Sequence, residues 1–315
     1  MGLKMAGTFT HWMVVEEALD RLNKFPMKHN YFSTILGNNH FVMLGAVGPD
    51  YPYLSELAKN LLKHHSWADR MHYENTSLFI RYGVENLSKL DQKDFEVCLS
   101  WLCGYVSHML ADSIIHPVVN AIVGPYIFNQ GEHRHCEMIQ DSCIFKDIKR
   151  VEIRYAGYVE LIKMCSASKD EDRINPAIKD FWSKTLRMAH PGGKEKFNSI
   201  DPDDWHENFV SIISEVSDPI PIFRHMGEEK NIVYKKTNEI TKDERKRFID
   251  EINLPGDKVG SFTGDAFNKT VEKLVEVWQR LFSDVEKKNA EGCEAYIMNW
   301  NFDTGVDEDK IYFWA

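Results

Sequence analysis

Apolar residues recur at helical spacing along most of the chain. In GTFTHWMVVEEALDRLNKF, the apolar positions between Met13 and Leu22 follow a threonine cap, which predicts an amphipathic helix with His11 near its start. After a short apolar run, the Gly-Pro-Asp-Tyr-Pro segment breaks the pattern and places Asp50 on a loop between helices. A stripe of buried positions from about Asp91 to Pro117, with few charges, predicts a central helix.

The rest of the chain carries weaker signals of the same kind. Residues 132 to 165 read as one or two helices, and clusters of Gly, Pro, Asn and Asp from 166 to 210 predict loops between short helices. A longer loop is expected near 253 to 265, before a last helix in FNKTVEKLVEVWQRLFSDVEKKN and a C-terminal strand or coil. Strand-like alternation is scarce, so we expect a single mainly α-helical domain over residues 1–315.

Composition narrows the class of protein. The chain has 315 residues, 43% of them hydrophobic, which is enough for a substantial core. A formal net charge of -10 argues against a broad basic surface for nucleic acid or anionic membrane, so no stable nucleic-acid complex is expected.

The cysteines and the N-terminal sequence bear on location. The six cysteines form no C-x-x-C pair and lack the dense spacing of a disulfide scaffold, which favours reduced thiols in a core. No signal peptide and no run of about 18 apolar residues is visible. These features predict a cytoplasmic protein with no membrane span.

The stretch HMLADSIIHP, residues 108 to 117, combines polar groups with a core pattern. In a helix, His108, Asp112 and His116 fall on one face, where their side chains can converge. Stripping water from these groups costs several kcal/mol unless they are paired or bind a metal. Hydrogen bonds within the core would explain this triplet taken alone.

A second pair has the same spacing. GEHRHCEMIQD places His133 and Glu137 four residues apart, with nitrogen and oxygen ligands that suit zinc. Alone, the pair would be read as an exposed ionic turn. Together with the first triplet, the proline-flanked Asp50 and a histidine-rich segment before the central helix, it favours a metal site.

These segments resemble the zinc-dependent phospholipases C, which are distantly related to the P1/S1-type zinc nucleases. They occur in the family's order: GTFTH, LGAVGPDYP, a histidine soon after, GYVSHMLADSIIHP and HRHCE. The resemblance covers roughly residues 6 to 145. It implies an α-helical fold with two or three zinc ions in a cleft.

The resemblance assigns the first zinc ion to four ligands: Asp50, a histidine downstream of it, His108 and Asp112. His72 is our first choice for that histidine because it follows a helical apolar pattern in WADRMHYENTSLF. His64 and His65 are the rivals.

The other two ions follow from the same resemblance. His116, His133 and Glu137 would hold the second. A third would lie between His11, a bridging Asp112 and the chain's own N-terminus. The family's mature chains begin with a tryptophan that ligates this ion, whereas this chain begins with Met1. Its spacing from Asp112 to the next histidine is also shorter than in the secreted enzymes.

The implied reaction is hydrolysis of a phosphate ester by zinc-activated water, with metal ions stabilising the charge on phosphate. Asp50 would either ligate zinc or act as general base, which makes it the candidate catalytic residue. The expected substrate is a phosphodiester such as a phospholipid, although a soluble ester is equally credible. At most peripheral membrane contact is expected, and the oligomeric state is left open.

Two alternatives belong to other classes. A di-iron carboxylate oxidoreductase would use paired E-x-x-H motifs, of which Glu132 and His135 supply only one. A zinc-stabilised module could bind a phosphorylated ligand or a protein without turnover. Against it stands the number of candidate ligands, which exceeds the four that a closed structural site needs.

Overall fold

The computed structural model describes residues 7–24, 31–58, 67–153, 156–168, 170–192, 199–217, 234–309 and 312–314. This part of the chain is mainly α-helical, which confirms the predicted fold class. The helices are α1 (Thr8–Lys24), α2 (Tyr31–Gly37), α3 (Asn39–Gly45), α4 (Tyr51–Ala58), α5 (Trp67–Tyr73), α6 (Thr76–Leu87), α7 (Gln92–Val123), α8 (Tyr126–Lys149), α9 (Ala156–Lys163), α10 (Pro176–Ala189), α11 (Pro202–Ser217), α12 (Lys242–Arg245) and α13 (Asn268–Lys287). Single turns of 3-10 or π-helix lie at Gly48–Asp50, Thr237–Glu239, Lys246–Asp250, Phe262–Phe267 and Ala290–Ala295.

Two small antiparallel hairpins complete the described secondary structure. Their strands are β1 (Ser166–Ala167) with β2 (Asp170–Ile174), and β3 (Ile252–Leu254) with β4 (Lys258–Gly260). The sequence predicts loops between short helices in the first region and a longer loop in the second, so it misses both hairpins. Strands this short carry no period-two pattern, and the second hairpin turns at Gly256 and Asp257, which both have positive φ.

Helix α7 is the central element. Its N-terminus is capped by Asp91, whose side chain accepts a hydrogen bond from the Asp94 N–H at 2.9 Å. The helix continues past Pro117 to Val123, although proline removes one hydrogen bond, because Val118 and Val119 are fully buried and hold the last turns in the core. Helices α1, α3, α6, α8, α10 and α13 all pack against α7.

By length and composition, α7 would be able to cross a membrane, although its sequence has no run of about 18 apolar residues. It is the one such helix in the part of the chain that the structure describes. However, 72% of its most apolar window is buried within the protein, as in a core helix.

Helices α3 and α7 approach each other closely through a glycine pair. A Cβ atom on Gly45 would lie 2.0 Å from the Trp101 carbonyl oxygen, and one on Gly104 would lie 2.0 Å from the Val42 carbonyl oxygen. Only glycine at both positions allows this approach. The contact brings the end of α3, and the Asp50 turn after it, against the middle of α7.

The C-terminal half packs directly behind Asp50. The ring of Tyr51 stacks on Phe209 of α11 with 4.2 Å between ring centroids, and it also faces His206. The ring centroids of Trp182 on α10 and Trp205 lie 5.0 Å apart. One hydrophobic core therefore joins the early helices to the later ones.

His206 is a buried histidine of this core. Its side chain is fully buried, its Nε2 lies 2.9 Å from the Ser166 hydroxyl oxygen, and its Nδ1 has no partner among the described residues. Burial lowers the pKa of His206 to about 4, with Asp203 acting weakly in the opposite direction. The imidazole is therefore neutral in the folded protein at neutral pH.

This burial predicts acid-sensitive folding through His206. Above pH 6.5 the imidazole is neutral in both states, but as the pH falls from 6.5 to 4 the unfolded chain gains a proton that the folded chain does not. The free energy of unfolding should therefore decrease by about 1.4 kcal/mol per pH unit in this window, and by about 3 kcal/mol in all. Urea unfolding at pH 7.5 and pH 5 should show a smaller decrease for His206→Gln than for the wild type. Equal decreases in the two proteins would contradict the prediction.

Candidate metal centre

The predicted site residues lie on separate elements that meet at α7. Helix α1 carries His11, the 3-10 turn carries Asp50, α5 carries His72, and α8 carries His133 and Glu137. The remaining three follow one another at four-residue spacing on α7: His108, Asp112 and His116. The side chains are buried, with His116 the most exposed at 12%.

One oxygen of Asp112 faces two imidazoles. Its Oδ2 lies 3.2 Å from His108 Nε2 and 3.6 Å from His72 Nε2. The Oδ1 of Asp50 lies 3.4 Å from His72 Nε2 and 4.0 Å from His108 Nε2 on the same side. His72, the histidine preferred from the sequence, is therefore brought together with Asp50, His108 and Asp112.

The other oxygen of Asp112 faces a second set of groups. Its Oδ1 lies 3.1 Å from His11 Nε2 and 3.4 Å from His116 Nε2. The other nitrogen of His116, Nδ1, lies 3.7 Å from Glu137 Oε1. We call the seven residues in contact around Asp112 the His–Asp cluster: His11, Asp50, His72, His108, Asp112, His116 and Glu137.

Backbone carbonyl groups fix two of the imidazoles. His72 Nδ1 donates to the Ala68 carbonyl at 2.7 Å, and His108 Nδ1 donates to the Ala46 carbonyl at 2.9 Å. In the neutral imidazoles both Nε2 atoms would therefore carry lone pairs, and these two atoms lie 3.3 Å apart. Two facing lone pairs repel, so the arrangement requires a proton or a metal cation at this point.

Several buried polar atoms of the His–Asp cluster have no hydrogen-bond partner among the described residues. They are both ring nitrogens of His11, Asp50 Oδ2 and Asp112 Oδ1. His11 and Asp112 approach to 3.1 Å without a directed hydrogen bond. Unpaired buried donors and acceptors are costly, and ligation of a cation would satisfy them. Two groups of three have ligand atoms within 4.8 Å of one another: His11, Asp50 and His108; and His72, His108 and Asp112.

The pKa shifts show that the centre favours positive charge. Burial opposes charge throughout, yet Asp112 and its neighbours raise the pKa of His108 to about 9 and that of His116 to about 10. The facing histidines hold the pKa of Asp112 well below its usual range in spite of burial. Burial, reinforced by His108, lowers the pKa of His11. Burial also raises the pKa of Glu137 to about 8.

His133 stands apart from the cluster. Its Nε2 donates to the Gly124 carbonyl at 2.6 Å, which leaves Nδ1 as the lone-pair nitrogen. Nδ1 is buried and has no partner within the described ranges. Burial lowers the pKa of His133, so the imidazole is neutral and able to ligate through Nδ1.

Other residues considered from the sequence lie elsewhere. Glu132 pairs with Arg247 at 3.0 Å, and His135 pairs with Glu244 at 2.9 Å, both at the surface. This E-x-x-H motif therefore does not join the His–Asp cluster. His64, His65 and the N-terminus lie outside the described residues.

The C-terminal segment also contacts the cluster, which no sequence motif indicated. The Phe302 N–H donates to the His72 carbonyl at 3.0 Å, and its buried ring lies 5.3 Å from the His72 ring and 6.2 Å from the His108 ring. Asp303 accepts a hydrogen bond from the Tyr73 hydroxyl at 2.8 Å. Tyr73 and Asp303 are more than 200 positions apart in sequence, so local sequence patterns do not predict their contact.

A helical chain that buries histidines and carboxylates around one shared aspartate has the donor set of a zinc-binding protein. The particular family follows from comparison with known families. The family model described as zinc dependent phospholipase C matches residues 10–192, more than half of the chain, and the chain belongs to that family. No match was found among curated proteins or among solved structures.

The Phe302 contact predicts an effect on metal affinity. Phe302→Leu keeps an apolar side chain but loses the ring that restrains His72 and His108, so zinc affinity should fall about tenfold, as for other residues that orient ligands. Competition with a chromogenic chelator measures this. Phe282→Leu is a matched control, because Phe282 is fully buried and contacts Tyr31 instead. Equal zinc affinities in the two variants would disprove a role for the Phe302 ring.

Proposed function

We propose that this chain is a zinc-dependent hydrolase of phosphate esters, with phosphodiesters such as phospholipids as the favoured substrates. The observation that carries the proposal is the two-sided environment of Asp112, whose oxygens face different imidazoles at 3.1–3.6 Å. One carboxylate placed in this way suits two neighbouring cations. Membership in the zinc-dependent phospholipase C family supports the same reaction class.

The proposed ligands divide according to the geometry around Asp112. Asp50, His72, His108 and Asp112 would hold one ion. His116 and Glu137 would hold a second, with His133 contributing Nδ1. His11 would bind a third through contact with Asp112, or would complete the first group with Asp50 and His108.

When bound, zinc would lower the pKa of a water molecule and stabilise negative charge on the phosphate. Asp50 is also the proposed general base: its Oδ1 faces His72 on the side of the first ion, whereas its buried Oδ2 has no partner in the described structure. A small pocket beside the cluster has space for about one water molecule. Its polar lining is formed by Thr10, His11, Asp112, His116, Glu137 and Gln140.

A zinc-stabilised binding module is the second candidate. The many buried ligands favour the hydrolase over that module, since a closed structural site needs four. The core that runs from Phe9 to Phe302 supports the further proposal that residues 1–315 act as one domain. The six cysteines are free and buried, which supports the proposed cytoplasmic location.

Replacing the shared carboxylate tests the hydrolase. Asp112→Asn keeps the shape of the side chain but removes its charge, so bound zinc should decrease and hydrolysis of bis(p-nitrophenyl) phosphate should fall at least about a hundredfold, since metal ions supply several kcal/mol. Asp94→Asn, in the first turn of the same helix, should behave as the wild type. Stoichiometric zinc in the wild type without hydrolysis of any phosphate ester would favour the binding module.

An exposed apolar pair near His133 favours a lipid substrate. Ile127 is 73% exposed and Phe128 is 81% exposed, at the start of α8. The ring of the preceding Tyr126 lies 5.3 Å from that of His133. Adjacent exposed apolar side chains are costly in water and suit contact with a bilayer surface.

Phospholipid and soluble substrates should respond differently to loss of this pair. Phe128→Ser removes apolar area that a bilayer would cover, so hydrolysis of phosphatidylcholine vesicles should fall about three- to tenfold, corresponding to roughly 1 kcal/mol. Hydrolysis of bis(p-nitrophenyl) phosphate should not change. Val259→Ser is a matched control on β4, because Val259 is 73% exposed. Equal effects on vesicles and on the soluble diester would argue against bilayer contact.

A further inference from the structure

Asp141 is a buried carboxylate that takes no part in the His–Asp cluster. It lies on α8, four residues after Glu137, and it is fully buried. Its oxygens accept four hydrogen bonds: from Phe9 N at 3.2 Å, Thr10 N at 2.7 Å, Thr10 Oγ1 at 2.6 Å and Tyr234 Oη at 2.9 Å. Three of these bonds come from the first turn of α1.

The bonds replace a cap that α1 does not supply itself. The first N–H groups of a helix need acceptors, usually from the side chain just before the helix. Gly7 occupies that position and offers none. A Cβ atom on Gly7 would lie 2.1 Å from Asp141 Oδ1, so glycine is what lets the carboxylate reach the helix end. In the Gly-x-x-Thr part of GTFTH, Gly7 therefore leaves room for the Asp141 carboxylate and Thr10 donates hydrogen bonds to it.

The same bonds fix the distance between two proposed metal-binding helices. His11 directly follows Thr10, its Nε2 lies 3.1 Å from Asp112 Oδ1, and its ring stacks on His108 at 4.3 Å. Glu137 lies one helical turn before Asp141. Hydrogen bonds from Thr10 to Asp141 therefore hold His11 on α1 and Glu137 on α8 at a set separation across the pocket.

His11 depends on this restraint more than His72 and His108 do. Backbone carbonyls orient those two rings, whereas neither ring nitrogen of His11 has a hydrogen-bond partner among the described residues. The backbone at Thr10 is therefore a main determinant of where the His11 ring lies.

We propose that Asp141 is a positioning residue for metal binding: through Thr10 and the first turn of α1, it places His11 against Asp112 and sets the spacing between α1 and α8. The inference rests on the proposed zinc centre. Helix α8 would then have two functions. One turn would provide the ligand Glu137, and the next turn, through Asp141, would position His11 on α1.

Zinc binding by Asp141→Asn and Thr10→Val tests this inference. Both variants weaken the link to α1 and leave every proposed ligand in place, so the affinity for the zinc ion that His11 would hold should fall at least about tenfold. Thr10→Ser, which keeps the hydroxyl, should restore wild-type affinity. Chelator competition and the visible spectrum of the cobalt-substituted protein report on the ligands independently of activity. Tyr234→Phe, which removes one bond, should give a smaller loss and serves if Asp141→Asn does not fold.

Thr185→Val is the matched control for a structural effect. Thr185 is fully buried, its hydroxyl donates to the Phe181 carbonyl, and its helix α10 packs on α6, α7 and α11. This variant should lose stability without any change in zinc affinity or cobalt spectrum. If the Asp141 and Thr10 variants lose stability but keep wild-type zinc affinity and spectrum, Asp141 is only a helix cap and the inference is wrong.

Failure of the proposed function would look different. Wild-type protein that binds no zinc would overturn both the proposed function and the positioning role. Wild-type protein that binds zinc without hydrolysing phosphate esters would overturn the hydrolase alone, and the zinc affinities of the variants would still decide the role of Asp141.

Discussion

The burial of the Asp112 carboxylate is the constraint on which the rest of the site depends. Only 1% of this residue is exposed, and moving a carboxylate out of water is unfavourable unless positive charge compensates for it. Without metal, protons on His108 and His116 supply that charge, which is why their pKa values rise to about 9 and about 10. Metal ions would replace those protons at the same place. The fold therefore favours positive charge, from protons or from metal ions, at the centre of α7.

Placing compensating groups around Asp112 involves elements from both halves of the chain. The family match ends at residue 192, yet Phe302 packs on the rings of His72 and His108, and Phe209 stacks on the residue after Asp50. A buried charged cluster tolerates little movement of its ligands, since small shifts leave groups unpaired. The later residues therefore contribute to the site by restraining the elements that carry it.

Local periodicity explains how much of the site was predictable. The four-residue spacing of His108, Asp112 and His116 predicts a shared helix face, because helix geometry is set within a few residues. The roles of Asp141 and Phe302 were not predictable in this way, since each depends on contacts between distant segments. Similarly, the spacing of His133 and Glu137 gave no sign that the Gly124 carbonyl would occupy His133 Nε2. The two hairpins were missed because their strands are too short for a periodic pattern.

The imidazoles differ in how firmly the protein orients them, and this ranks the proposed metal positions. His72 and His108 each donate to a backbone carbonyl, so their Nε2 atoms already face Asp50 and Asp112. His11 has no such partner among the described residues and is placed chiefly through its backbone. Less orientation before binding means more entropy lost on binding, so an ion held by His11 would be the weakest bound. The first position, between Asp50, His72, His108 and Asp112, is accordingly the one that this chain prepares best.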